Sequence, residues 1–374
     1  MRLKITLNAG GGSAILFPML PPDIVGPRLH FQRLLKPAFR SAQDAVSWFG
    51  AVQSQDYDGA RWAIGLRAPS LAAADVDMAF DRGEILRTHV MRPTWHFVAP
   101  DDIRAMLLLT GPRVQAFNAS YYRKQALDRS VMTRAYRVLT RVLRDGKTLT
   151  RTELSAALAS AGIAATGIRL AFVVMSAELD GLVCSGPRRA KEFTYALLDE
   201  RVPTVKAQTR DEALAALVAR YFTSHGPATL RDFAWWSGLT MRDGREGVAM
   251  AGAALMARRL DGRAHWQGVT AAPRRSPPAS LYLLPNYDEC LIAYRDRGDQ
   301  TASAHRAASV RTFPHQLLID GRWAGGWKRT RRAGSAHLEV KPFARLTRVQ
   351  REALDVQIVR YSTFHGVPTT LKVH

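Results

Sequence analysis

Residues 150–163 read TRTELSAALASAGI, with Thr150 three positions before Glu153 at the head of an apolar-periodic run that Gly162 closes. The hydroxyl can accept from an orphan backbone N–H of a first helical turn, the acid sits at the positive end of the helix dipole, and glycine suits the left-handed residue that ends a helix. The pattern occurs twice more. Ser41 and Asp44 precede AVSWFGAVQSQ (45–55), read as an amphipathic helix, and Thr229 and Asp232 precede FAWWSGLTMRDG (233–244), where Gly238 is the stop. A second helical run follows each after a short break. One such tetrapeptide opens helices in every fold; three at the head of paired helices predict three repeated helix-turn-helix units.

Strand pairs follow at least two of these units, which makes them winged helices. After the Thr150 unit, LVCS (182–185) and EFTYALL (192–198) flank Gly186-Pro187-Arg188-Arg189, a hairpin with a basic tip. After the Ser41 unit, ILRTHVM (85–91) and TWHFVA (94–99) flank Arg92-Pro93. Beyond a Pro-rich connection at 272–280 the pattern turns to β, with LYLLP (281–285), HQLLIDGRWAGGWKR (315–329) and HLEVKPF (337–343), and an amphipathic helix is predicted at 348–363. The expected fold class is α+β: tandem winged-helix units with a C-terminal β-rich subdomain. The expected division is a flexible tail at 1–27, winged-helix units at 28–145, 146–210 and 211–280, and the β-rich subdomain with its terminal helix at 281–374.

The 53 Lys plus Arg exceed the 32 Asp plus Glu, for a formal charge of +21, and all but nine of the cations are Arg. A GC-rich genome accounts for a preference for Arg over Lys, but not for the imbalance of sign. So large an excess repels itself in a compact chain and calls for a polyanionic partner, and the guanidinium fork matches phosphate. Positions 322–348 hold eight cations against one acid, Glu339, with Trp323 and Trp327 among them. Such a strip can track a phosphate backbone and stack on a base, while buried aromatics are the commoner case for the two Trp. No apolar run approaches the ~18 residues of a membrane span, and Gly and Pro interrupt the N-terminal apolar stretch, so a cytoplasmic, nucleoid-associated monomer without a membrane or an obligate protein partner is expected. The two cysteines, Cys184 and Cys290, lie far apart, which excludes a disulfide scaffold and a zinc site built on cysteine pairs. No metal and no cofactor are expected.

If there is chemistry, it must run on ordinary polar groups. Gln53-Ser54-Gln55-Asp56 is the unusual local sequence. Two amides beside an acid are awkward in a core, where each needs several hydrogen bonds. Either they end the first helix and face water, or they project from it into a cleft and hold a water or a base edge.

The combination QSQD with WAIGLR, then MRPTWHFVAPDD, then LPNYDECLIAYRDR resembles the winged-helix DNA-binding proteins that include the AlkZ and YcaQ type DNA glycosylases, over nearly the whole chain after residue 28. The matching elements are Gln53-Ser54-Gln55, Arg92-Pro93-Thr94-Trp95-His96, and Pro285-Asn286-Tyr287-Asp288-Glu289 with Asp296-Arg297. Ser54 stands where an aliphatic residue is usual, and Pro93 and Trp95 replace Gly and Leu; the bulk of Trp95 is expected to narrow the pocket. The resemblance implies tandem winged helices around a double-stranded DNA channel and a monofunctional glycosylase for alkylated purines, in some members including cross-linked ones. On this reading Gln53 and Gln55 hold the attacking water and Asp56 is its electrostatic partner. Arg61, Arg92, Thr94, His96, Arg188, Arg189, Lys328, Arg329, Arg331 and Arg332 contact DNA. His96 fits a structural histidine equally well, and Tyr287, Asp288 and Glu289 are read as structural, because an acid pair beside DNA would repel it. Two rivals stay open: a non-catalytic winged-helix transcriptional regulator, and a charge-driven binder of RNA or chromosomal DNA.

Overall fold

The computed structural model of the chain describes residues 22–202, 207–260, 262–270, 280–295 and 312–374. Helix α1 (Pro22–Phe31) starts inside the stretch expected to be a loose tail and buries Ile24, Leu29 and Phe31; residues 1–21, the connection at 272–279 and the Asp296-Arg297 element lie outside the described residues. Ser41 caps α2 (Ala42–Phe49), its Oγ accepting from the Asp44 N–H at 3.0 Å. The predicted helix does not run on to Gln55. It stops at Gly50, whose φ of +82° breaks the helical path, and the chain enters β1 (Ala51–Gln53). Helices α3 (Tyr57–Gly65) and α4 (Ala73–Arg82) follow, then β2 (Leu86–His89) and β3 (Trp95–Val98). The expected hairpin β2-β3 forms, but β1 joins it on the other side, so β3 is central in the order β1-β3-β2.

Next come α5 (Pro100–Lys124), α6 (Arg129–Leu143), β4 (Leu149–Thr150), α7 (Arg151–Ser160), α8 (Gly167–Leu179), β5 (Val183–Ser185) and β6 (Thr194–Leu197). Thr150 and Glu153 form the reciprocal box that starts α7, and the hairpin β5-β6 closes as expected, with β4 added to give β4-β6-β5. After α9 (Leu198–Arg201) and α10 (Arg210–His225), Thr229 and Asp232 box the start of α11 (Leu230–Ser237), which Gly238 ends at φ +71°, before α12 (Met241–Ala251). A third strand pair, β7 (Leu255–Leu260) with β8 (Arg263–Gly268), follows this helix pair too. The rest is β9 (Leu281–Leu284), α13 (Glu289–Ile292), β10 (His315–Ile319), β11 (Arg322–Arg332), β12 (Ser335–Pro342), α14 (Arg348–His365) and β13 (Thr369–Val373). These strands form one sheet, β13-β12-β11-β10-β9, antiparallel except for the parallel β12-β13 pair. Mixed α and β structure is thus the architecture.

Three hydrophobic cores hold it together. One joins α2, α3 and α4 to the C-terminal sheet and α14 through Trp62, Phe80, Trp327 and Tyr361; Trp327 is therefore core, and its indole N–H donates to the Leu284 carbonyl at 2.9 Å. A second surrounds α10 and α11 through Tyr221, Phe222, Phe233 and Trp236. The third packs α6 against α7, α8, β5 and β6, so α6 sides with the second helix pair. The β1-β3-β2 sheet lies between the first two cores, sending Val52 and Phe97 into one and Ala51, Leu86 and Val98 into the other. Polar residues in a sheet buried on both faces are costly unless paired, and this one carries several.

Candidate active site

The register sets Gln53 opposite His96, and His96 opposite Thr88. Directly opposed residues share a sheet face, so three polar side chains stand in a row across three strands, all buried. Gln53 is only 6% exposed. His96 Nδ1 lies 2.9 Å from the Thr94 carbonyl, which can only accept, so Nδ1 carries the proton and Nε2 presents a lone pair. Burial, and then the charge of Arg92, push the pKa of His96 down to about 3; the ring is neutral at ordinary pH. Arg92, at the hairpin turn, donates from Nη2 to Gln53 Oε1 at 3.2 Å.

Much of this row's hydrogen-bonding capacity is unused. His96 Nε2, Thr88 Oγ1, Thr94 Oγ1 and Arg92 Nε are buried and have no protein partner among the described residues. Each unmet buried group costs about 1–3 kcal/mol unless water or a ligand meets it. These unmet groups lie on the Gln53 face of the sheet and in the adjoining turn, beside a carboxamide and a guanidinium.

The loop after β1 carries the other two residues of the motif. Gln55 is exposed, its Oε1 accepting from the Trp95 backbone N–H at 3.3 Å. Asp56 caps α3 by accepting from the Gly59 N–H at 3.1 Å and holds the Arg329 guanidinium at 2.9 and 3.0 Å. Its carboxylate therefore serves the fold, whereas the sequence reading gave it to the water. Trp95 also departs from expectation. Neighbouring strand residues point to opposite faces, so its indole lies away from Gln53, against His89 at 4.6 Å and beneath Arg87 at 4.2 Å. It does not narrow the Gln53 side.

Several cations read as phosphate contacts are occupied inside the molecule. Arg61 is buried and pairs with Asp58 and Asp77. Arg188, at the expected basic hairpin tip, faces Asp77 and Asp81 at 3.3 and 3.5 Å. Arg189 meets Glu153 at 2.7 Å, Lys328 meets Glu339 at 2.9 Å, and Arg331 meets Asp58 at 3.5 Å. Arg332 is exposed and makes no ion pair among the described residues. Within the strip Lys328 is met by the strip's own acid, Glu339, but Arg329 and Arg331 are met by Asp56 and Asp58, from α3 and the loop before it, far from the strip in sequence. A net-charge count along the strip cannot see those two.

Asp288 and Glu289, read as structural, hold the site from behind. Asp288 takes both Arg67 nitrogens at 2.7 Å in a fully buried bidentate pair. Glu289 accepts from the Gln53 backbone N–H at 3.0 Å and from the Trp236 indole N–H at 2.9 Å, which ties β1 to α11. The next residue back, Trp235, is 43% exposed; its indole N–H donates to the Ile292 carbonyl at 3.1 Å and its ring centroid is 6.0 Å from the Arg92 guanidinium carbon. Beside it opens a cavity of about 410 Å³ lined by Arg231, Ala234, Met241 and Arg295, and the three long side chains of that lining also border a second one of about 560 Å³. Sequence reasoning missed Trp235. The available signal was the Trp-Trp doublet itself: Trp236 shares a helix face with Phe233 at i, i+3, and Trp235 is turned about 100° from it.

A family model described as "DNA glycosylase AlkZ-like" matches residues 46–364. The chain is 24% identical over 347 residues, 87% of its own length and 91% of the other, to the protein of Streptomyces sahachiroi named "Interstrand DNA cross-link repair glycosylase". Its fold is similar to the solved structure of Streptomyces sahachiroi DNA glycosylase AlkZ, with a TM-score of 0.78 at 22% identity over 94% of this chain and 99% of that one.

Proposed function

The chain belongs to the AlkZ-like DNA glycosylase family, and on that premise we propose that it hydrolyses the N-glycosidic bond of alkylated, cationic purines in double-stranded DNA. Alkylation at N7 of guanine or N3 of adenine makes the base a neutral leaving group once the bond breaks, so no strong general acid is needed. What remains is to place a water on the open face of an oxocarbenium-like sugar and to shield the charge that develops there, work for positioned dipoles.

Gln53 Oε1 and His96 Nε2 act as the two acceptors for this water, with Gln55 approaching from the exposed end of β1. The glycosidic electron pair leaves with the base, the water oxygen bonds to C1′, and its surplus proton passes by way of Nε2 to solvent. A weakly basic imidazole suffices, because water bound to an oxocarbenium carbon is a far stronger acid than free water. Arg92 and Thr94 face the phosphate or sugar beside the lesion. Asp56 contributes indirectly, by holding the start of α3 and Arg329 behind Gln55.

The observation that carries this reading is the buried row of Gln53, His96 and Thr88, with its unused acceptors next to Arg92. The helix pairs α2-α3, α7-α8 and α11-α12, with strand pairs after them (in the first case after α4), are read as three winged helices along a DNA channel, with α6 assigned to the second and the C-terminal sheet as the fourth unit. Cross-linked purines fall within the proposal: the Streptomyces relative is named for cross-link repair, and the cavities beside Trp235 offer room beyond a single base. The enzyme is taken to act as a monomer. No described helix is long and apolar enough to cross a membrane.

The test is incubation with methylated duplex DNA and scoring of abasic sites, beside a Gln53→Ala/Gln55→Ala variant. Release by the wild type and loss in the variant is the expected result. Equal release by both removes the site assignment. Absence of release together with a footprint on a defined operator establishes the regulator instead.

A further inference from the structure

Trp235 stands out among the described aromatics near the site. Its neighbour Trp236 is fully buried, yet Trp235 leaves 43% of itself exposed. The ring is not loose: the indole N–H is fixed to the Ile292 carbonyl at 3.1 Å, and Ile292 lies in the short helix that begins with Glu289. Glu289 in turn holds Trp236 and the backbone of Gln53. The exposed ring and the buried carboxamide are thus set by one shared anchor, and Arg92 spans the gap, 3.2 Å from Gln53 Oε1 and 6.0 Å from the Trp235 centroid. Trp235 also borders the cavity of about 410 Å³ whose other walls include Arg231 and Arg295.

Resting on the glycosylase reading above, we infer that Trp235 is the platform on which the modified purine stacks while its sugar faces Gln53. An indole face stacks on any base, and it attracts a cationic ring more than a neutral one. Cleavage neutralises the base and removes that extra attraction, which favours release of the product into the adjoining cavity. The rigid anchoring matters because a stacking surface that turned freely would not hold C1′ in register with the water.

Two measurements on the full chain test this. One is single-turnover release of 7-methylguanine from a duplex. The other is equilibrium binding to the same duplex with a 2′-fluoroarabino sugar at the lesion, which resists hydrolysis, against binding to the unmodified duplex. Trp235→Ala is expected to slow release and to weaken binding of the uncleavable lesion by about tenfold or more, with Trp235→Phe, which keeps a stacking face but loses the anchor to Ile292, intermediate between Ala and wild type and unmodified duplex bound equally by all three. Equal loss on both duplexes marks a general DNA contact and overturns the inference, as does unchanged release and lesion binding in Trp235→Ala. If the wild type releases no base but its preference for the uncleavable lesion depends on Trp235, the hydrolytic reading fails and the platform stands. Near-ultraviolet circular dichroism, dominated by buried residues such as Trp62, Trp236 and Trp327, reports whether each variant is folded.

Discussion

The chemistry proposed for Gln53 and His96 starts from both residues uncharged. Gln53→Ala is expected to lower the single-turnover release rate by about tenfold to a hundredfold with little change in duplex affinity, since the carboxamide acts on the water and not on the ground-state DNA. Loss of affinity with an unchanged rate at saturation contradicts the assignment. His96 has a folded pKa of about 3, so it stays neutral well below its ordinary range. Release by the wild type is accordingly expected to show no acid limb near pH 6.5 in a profile from pH 5 to 8, whereas a catalytic imidazole of ordinary pKa would produce one. The Gln-x-Gln spacing is what singles out Gln53 in the sequence. The environment of His96 was not legible, because the buried face, the Thr94 carbonyl and Arg92 come together only through the strand register.

At the scale of elements, the site rests on contacts between segments more than 200 residues apart. Arg67 in the turn after α3 and Asp288 before α13 form a buried bidentate pair, and Arg67 also donates to the Gln32 carbonyl at 2.8 Å. Removing one partner strands the other charge, so Asp288→Ala is expected to cost about 3–5 kcal/mol in urea denaturation, and Arg67→Met/Asp288→Leu to recover most of it. A double variant no more stable than the single one rejects this account. Capping is a smaller effect: Thr150→Ala loses the hydroxyl that starts α7 and is expected to cost about 1 kcal/mol. The caps were readable because they are local, confined to four residues. The strand β1 was not, because its alternative as a helical extension of α2 has similar local pattern, and only Gly50 and pairing with β3 decide against it.

For the whole molecule, charge divides into committed and available parts. Arg329 is held by Asp56, whereas Arg332 is exposed without an ion pair among the described residues. If Arg332 meets a phosphate, Arg332→Ala lowers the slope of log affinity against log salt by about 0.9; Arg329→Ala is expected to act on stability more than on this slope. Equal effects on the slope would show that Asp56 does not occupy Arg329 when DNA binds. Acid stability follows from the buried histidines. Burial and nearby arginines bring His365 to about 3 and His315 to about 4, as they bring His96 to about 3. The unfolded chain therefore binds more protons than the folded one between these values and about 6.5, so stability is full above that range and falls as pH drops through it. The urea midpoint should decline from pH 6.5 towards 4, before most carboxylates protonate; a flat midpoint there would show that these rings charge in the folded state.

Local physics in the sequence determined the three capped helix starts, the glycine stops, two of the strand pairs, the C-terminal β pattern and the excess of cations, since each depends on residues within a few positions of one another or on composition alone. Tertiary structure decided which arginines are neutralised by Asp56, Asp58, Asp77 and Asp81, which face of the sheet Trp95 occupies, and which half of the Trp235-Trp236 doublet is exposed. It also set Gln53 beside His96. These outcomes depend on strand register and on contacts across hundreds of residues, where no local propensity acts.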